Sequence, residues 1–513
     1  MYHPTVKFPM DSFAIPIEQK EEPKTRYQKV YALLRLGIWE KRFDSPAGII
    51  ALFAVAAIIS FLITKGGMTA GVLILGAIIG IPFIVACMFN FKFGVTATIT
   101  AAFFVLGVKR LVSDIQLGVL MDVLVAVMFL GLFIKQIELH DWSFAKNPIS
   151  KMILIWIFYN ILQVANPSAE SRLAWVYTVR TFAGIMILYF LLMYTIDTKQ
   201  FIKRLIKLWL FLALLGAIWG YVQEYYGLMP FELAWATNPP ERYALLWQAG
   251  KFRKFSFFSD PLVFGILMAF TSLLCFVLMT GPFSKKKKTM LFFAGVFMLN
   301  GMLFSGTRAA FILPPAGLIF YALITFKKKV LLSTVALLML GVVIINIPTS
   351  NANIVRLQSA FSPTNDASYQ VRVKNQAFIK PFIQKHPLGG GLGSVGEWGK
   401  KFSPWSPIAN FPPDSGYIRI AVEEGWLGLL LYVSLLFVVF NSGIKDYFRI
   451  RDPELKTYAL GMLTVFYSLV IANFPQEAIG QYPINILFFV AIAIINKCRK
   501  LDDEIHAPLS AFV

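Results

Sequence analysis

About fourteen apolar runs follow one another along this chain, at 48–64, 70–89, 93–108, 117–134, 152–166, 173–195, 205–222, 261–282, 289–305, 309–326, 330–347, 416–441, 457–474 and 482–497. A bilayer core of about 30 Å takes roughly 20 apolar residues of helix. Several runs are shorter than that, so the count of spans falls at about 12–14. Composition points the same way. The chain is 57% hydrophobic and 15% charged, where soluble domains hold roughly 45–50% apolar and about 25% charged residues. The fold class expected is an all-α polytopic membrane protein.

The net charge of +20 invites a nucleic-acid reading, but its distribution argues against one. Lys203-Arg204 with Lys207, Lys285 to Lys288, Lys327 to Lys329, the Lys445 to Lys456 stretch and Lys497 to Lys500 stand beside apolar runs. That is the pattern of cytoplasmic loops. With the N-terminus inside, all five fall on the cytoplasmic face and only Lys109-Arg110 falls outside. The expected organisation is a cytoplasmic segment 1–47, a helix bundle 48–347, an extracytoplasmic loop 348–415, further transmembrane helices 416–497 and a cytoplasmic tail 498–513. Cys87, Cys275 and Cys498 lie in or at the ends of apolar runs, with neither a disulfide framework nor metal-ligand spacing. No internal repeat is visible, which argues against a transporter built from repeats.

Long ordered loops tend to carry function, so the polar stretch 348–415 is the first place to look for chemistry. From Tyr369 to Lys385 its apolar residues alternate with basic and amide ones, which predicts an amphipathic helix ended by His386-Pro387 and the glycines at 389, 390, 391 and 393. Arg308, in Phe304-Ser-Gly-Thr-Arg-Ala-Ala-Phe311, sits between long apolar runs. A charge there either snorkels to the headgroups or forms the floor of an outward cavity, with Gly306 permitting close backbone approach. Arg253, Arg372 and Arg180 fall on the same expected side. The planar guanidinium fork suits phosphate oxygens and stays protonated, so arginines converging there would suit a lipid diphosphate. Asp414 is either a general base toward a hydroxyl or the N-cap of the following helix. His386 either accepts a proton or only ends the amphipathic helix. The glycine run permits a tight loop and an anion-cradling nest. Glu423 and Glu424 are costly near a span unless one of them meets an arginine. There is no Walker-type loop, zincin motif or Asp-x-Asp on the outer loops, so no cofactor and no metal are expected.

In order, these elements resemble the O-antigen ligase and O-antigen or exopolysaccharide polymerase superfamily of bacterial inner membranes. Three blocks carry the resemblance: Arg253-Lys-Phe-Ser-Phe-Phe-Ser-Asp-Pro261, Phe304-Ser-Gly-Thr-Arg-Ala309, and the loop. In the loop Arg372 precedes His386-Pro-Leu-Gly-Gly-Gly-Leu-Gly393, followed by Asp414-Ser-Gly-Tyr417 and Glu424-Gly-Trp-Leu-Gly428. The resemblance implies a glycosyltransferase with a large extracytoplasmic loop, similar to the membrane transferases of the GT-C type. Such an enzyme is metal-independent and inverting, and moves a glycan from an undecaprenyl-diphosphate carrier to a hydroxyl acceptor at the periplasmic face. It implies Asp414, Arg308 and Arg253 as catalytic residues, with Arg372, Arg180, His386 and Tyr417 toward substrate. Ligases acting on lipid A core carry a His-Asn pair where this chain has Asp414-Ser415, which favours a polymerase of polysaccharide repeat units. Partners would be the lipid-linked glycan, a polysaccharide acceptor, membrane lipids, a chain-length regulator and a flippase, with no nucleic acid. The competing readings are an O-antigen ligase, a transporter or flippase of lipid-linked oligosaccharide or small anions, and a non-catalytic scaffold.

Overall fold

The computed structural model describes residues 46–111, 117–248, 250–361 and 367–507. Most of the segment assigned to 1–47, and the end of the tail, lie outside them. The described residues are almost entirely helical, and nine helices among them are long and apolar enough to cross a membrane. Two more, Lys285–Phe304 and Ile484–Ile505, have spanning length but carry charges at one end. The chain is an all-α polytopic membrane protein. Among the described residues the strand structure is a two-stranded antiparallel hairpin that pairs Trp247 with Phe252 and Gln248 with Lys251.

The described residues form two compact units, one within 46–82 and 133–140, the other within 83–132 and 141–507. In the first, the helix that starts at Pro46 is broken at Gly67, whose φ of 61° no regular helix contains. That break separates the two apolar runs at 48–64 and 70–89. The second unit holds everything that bears on function.

Helices of the second unit start where short polar side chains replace missing backbone partners. Asp260 accepts from the N–H groups of Leu262 and Val263 and is followed by Pro261. Asp452 does the same for Glu454 and Leu455 ahead of Pro453. Proline at the first helical position loses no hydrogen bond, so each Asp-Pro pair fixes a helix start. The two resulting helices lie in the core, as does Ile484–Ile505, which packs on the second of them. The Pro261–Met279 span has 83% of its membrane window buried and the Pro453–Ala472 span 72%, whereas Lys328–Asn346 has 6% and lies at the periphery.

Lys285–Phe304 and Arg308–Thr325 both pack on Pro261–Met279. A three-residue turn, Ser305-Gly-Thr307, joins them. The lysines at 285–288 stand at the far end of a 20-residue helix, roughly 30 Å from that turn at 1.5 Å per residue. The turn is therefore at the opposite end of this helix from those four lysines. Around it gather the loop that ends at Asp260 and the first helix of the 348–415 segment, Ala352–Ser359.

Arg110, one residue of the basic pair that breaks the charge pattern, is engaged inside the protein, whereas Lys109 is exposed. Arg110 donates to the carbonyls of Ser256 and Phe258 and lies over the rings of Trp235 and Phe255 at 4.4 and 4.3 Å. Burial lowers its pKa to about 10, although Glu232 and Asp260 work to hold its charge. It is an internal pin of the loop, so it does not report on the sidedness of the membrane.

Candidate functional site

Gly306 is the centre of the arginine arrangement. Its φ is +55°, and a Cβ there would stand 2.8 Å from Arg356 Nε and 2.9 Å from Arg356 Cδ. With no side chain in the way, Arg356 Nε donates to the Gly306 carbonyl. From the other side Arg253 Nε donates to the Ser305 carbonyl at 2.9 Å, and its Nη2 donates to Thr307 Oγ1, also at 2.9 Å. Arg308 follows as the first residue of its helix. Two guanidinium groups thus grip one turn through backbone carbonyls and a hydroxyl, and Arg308 stands close enough for its charge to act on Arg253. Burial first, then the charges of Arg356 and Arg308, lower the Arg253 pKa to about 10, against the pull of Asp260. That is still far above neutrality, so the cation persists in a setting that disfavours it.

The helix Ala352–Ser359 brings Arg356 into place through two anchors. Gln358 Nε2 donates to the carbonyls of Ile344 and Ile347. Asn353 Nδ2 donates to Glu224 Oε1 at 3.5 Å, and Glu224 also meets Lys254 at 3.3 Å. Arg356 escaped the sequence reading. The only signal for it was an arginine early in the polar stretch, and its meaning depends on Gly306, 50 residues earlier.

The amphipathic helix is present as Ala367–Lys385. Asn375 Nδ2 from this helix donates to Asp414 Oδ2 at 3.4 Å, and Arg372 lies one turn before Asn375 on the same face. Asp414 is not the helix cap. Ser415 holds the N-cap position of Gly416–Glu423 and makes no side-chain capping bond.

The remaining sequence candidates take structural partners. Arg180 opens a π-helical turn, Arg180–Gly184, and pairs with Asp122 at 2.8 Å. His386 Nδ1 lies 2.9 Å from the Phe382 carbonyl, and its ring stacks on Phe382 with centroids 4.1 Å apart. Tyr417 donates its hydroxyl to the Val470 carbonyl at 2.9 Å. None of these three bonds involves the arginine turn.

The glycine run works differently from an anion nest. The N–H groups of Gly390 and Gly391 donate to the carbonyls of Val422 and Glu423 at 2.8 and 2.9 Å. They are engaged in fastening this loop to the junction between Gly416–Glu423 and the long helix Gly425–Arg449. Contact there is so close that a Cβ on Gly425 would lie 1.9 Å from the Pro387 carbonyl oxygen. Beside that junction Glu423 meets Arg419 at 3.2 Å, the ion pair expected of one of the two glutamates. Arg419 also pairs with Glu477.

Arg419 and Glu477 line a cavity of about 440 Å³, together with Trp156, Trp398, Pro412, Pro413, Gly416 and others. Asp414 lies in the chain between two of its lining residues. The arginine loop reaches the same region, since Ser259 Oγ, one residue before Asp260, donates to Gln481 Oε1, and Gly480 lines the cavity.

Residues 293–433 match the family model described as O-Antigen ligase. That stretch contains Arg308, Arg356, Arg372, His386, Asp414, Tyr417 and Arg419. Arg253, Arg180 and Glu477 lie outside it. No curated protein matches the chain.

Proposed function

We propose that this chain, a member of the O-antigen ligase and polymerase superfamily through residues 293–433, is an inverting glycosyltransferase that polymerises polysaccharide repeat units from an undecaprenyl-diphosphate carrier. The observation that carries the reading is the convergence of Arg253 and Arg356 on the Ser305–Thr307 turn, with the charge of Arg308, the next residue, acting on Arg253. A diphosphate needs fixed positive charge, both when it binds and as it leaves. Charge held rigidly in a partly dehydrated place stabilises such a leaving group without reorganising during the reaction. The three arginines supply the charge that a divalent ion provides in other transferases.

In the proposed step an acceptor hydroxyl oxygen bonds to the anomeric carbon as the bond from that carbon to the diphosphate oxygen breaks. The diphosphate leaves with the electron pair, onto the arginines, and the configuration inverts. Asp414 takes the hydroxyl proton. It is free of capping duty, and its contact to Asn375 orients it. Arg372, one turn from Asn375, stands toward the substrate side, while Arg180, His386 and Tyr417 support the site through their packing.

The polymerase assignment rests on Asp414-Ser415 in the place of a ligase's His-Asn pair. The proposal sets the arginine turn at the periplasmic face of an inner membrane with both termini cytoplasmic. A chain-length regulator and a flippase are the partners such a polymerase needs.

The test is turnover by purified full-length protein given lipid-diphosphate-linked repeat units in detergent. Elongation without any gradient is the expected result, with Arg308→Ala lower by about 100- to 1,000-fold, the usual cost of removing one charge-stabilising donor. Near-normal polymer yield from Arg308→Ala removes the arginines from the mechanism. Movement of intact substrate across a vesicle membrane without elongation makes the protein a transporter instead.

A further inference from the structure

We infer that the cavity above Arg419 is the binding site for the acceptor glycan, and that it selects uncharged or amino-bearing sugars over acidic ones. Its size lies within the about 300–1,000 Å³ of ordinary ligand sites. One wall is aromatic. Trp398 lines the cavity, and the rings of Tyr177 at 4.7 Å and Phe402 at 5.9 Å hold it by stacking. A rigid aromatic face offers apolar area at little entropic cost to the C–H face of a sugar ring. Opposite in character are the charged groups. Arg419 is the cation in the lining, and it is matched by Glu423 at 3.2 Å and by Glu477. Glu397 adds a further carboxylate to the lining. Lys401 stands 5.8 Å from the Trp398 ring, outside the lining. The lining therefore sets one cation against two carboxylates, and the excess is negative.

This sign is the reverse of that at the arginine turn. Diphosphate belongs at the turn, while a glycan carrying carboxylates meets like charge in the cavity, a cost that grows as water is displaced. The inference deepens the transferase reading and relies on it for the identity of the sugar as acceptor. The position of Asp414 between the lining residues Pro413 and Gly416 puts the proposed base at the rim of this cavity.

The test measures binding, without turnover. Full-length protein in detergent is titrated with cellotetraose, a chitosan tetramer and tetragalacturonate while tryptophan fluorescence is followed. The expected result is saturable quenching by the neutral and amino tetrasaccharides, with tetragalacturonate at least about tenfold weaker, equivalent to about 1.4 kcal/mol. Glu397→Gln, at an exposed position, narrows that gap. Trp398→Ala abolishes binding, and Trp405→Ala, on the exposed surface, preserves it. The inference is overturned if tetragalacturonate binds as well as the others, if none of the three saturates, or if Trp398→Ala binds normally. Failure of the transferase reading has a different signature, since a protein that binds sugars with the expected preference but elongates nothing loses the reaction and keeps the cavity.

Discussion

Arg253 carries a charge where burial and two neighbouring arginines oppose it, and an arriving anion relieves all three penalties together. That makes the three-arginine group cooperative toward a diphosphate. Removing one member weakens binding and also lessens the repulsion among those left. Single Arg253→Ala and Arg356→Ala variants are therefore expected to lose more donor affinity, summed, than the double variant loses, because the relieved repulsion is counted in both singles, a non-additivity read from inhibition of elongation by inorganic diphosphate. Gly306→Ala is a sharper probe. It leaves all three arginines in the sequence but puts a Cβ 2.8 Å from Arg356 Nε at a φ of +55°. Strain of about 1–3 kcal/mol and displacement of Arg356 should reduce elongation at least tenfold, with detergent-solubilised yield retained. Normal activity in Gly306→Ala would mean that Arg356 acts from elsewhere. Arg308 and Arg253 were legible as residues because charges beside long apolar runs are costly and stand out. Arg356 was not, because its role comes from a close approach that no local pattern encodes. Asp414 was legible only as an ambiguity, and the N-cap position of Ser415 decides it against capping.

At the scale of elements, the 348–415 segment is a set of short helices fastened by backbone contacts. The helix at Ala367–Lys385 could be read from its alternation and its His-Pro ending followed by a glycine run, a combination that ends helices although the lone Pro381 inside this one does not. The glycine run after it could be read as a tight loop, but its partner lies more than 30 residues onward at Val422 and Glu423. The fasteners are close backbone approaches at Gly389 and Gly425, where Cβ atoms would meet the backbone of the facing segment at 2.4 and 1.9 Å. Gly425→Ala is expected to disrupt the junction that carries Arg419, Glu423 and Asp414, lowering the thermal midpoint of the purified protein by several degrees and abolishing elongation. Gly341→Ala, in the peripheral helix with open space around its Cα, should change neither. Equal midpoints for Gly425→Ala and the parent protein would mean that the junction tolerates a shift of the 387–389 backbone.

For the whole molecule, the run of apolar segments left little freedom in fold class, because a chain so composed satisfies its backbone inside lipid by forming helices. Which helices lie at the centre was a matter of packing. Pro261–Met279 and Lys328–Asn346 read alike as apolar runs, yet one is the core and the other the periphery. Sidedness follows from charge, and the structure sharpens that argument by removing Arg110 from the count of basic residues that face solvent. The lysines of 285–288 and the turn at 305–307 end the same helix at opposite poles, so one must face the cytoplasm if the other faces outward. Cys87, Cys275 and Cys498 are all fully buried, which gives a low background for thiol labelling. A cysteine placed at exposed Lys286, and another at exposed Gln376 in the Ala367–Lys385 helix, should therefore label from opposite sides in intact cells. An impermeant maleimide is expected to reach Q376C before permeabilisation and K286C only afterwards. The reverse order would turn the molecule over in the membrane and place the arginine turn in the cytoplasm. In that orientation a carrier-linked glycan at the outer face could not be its substrate, so this labelling order bears on the proposed reaction as directly as any turnover assay.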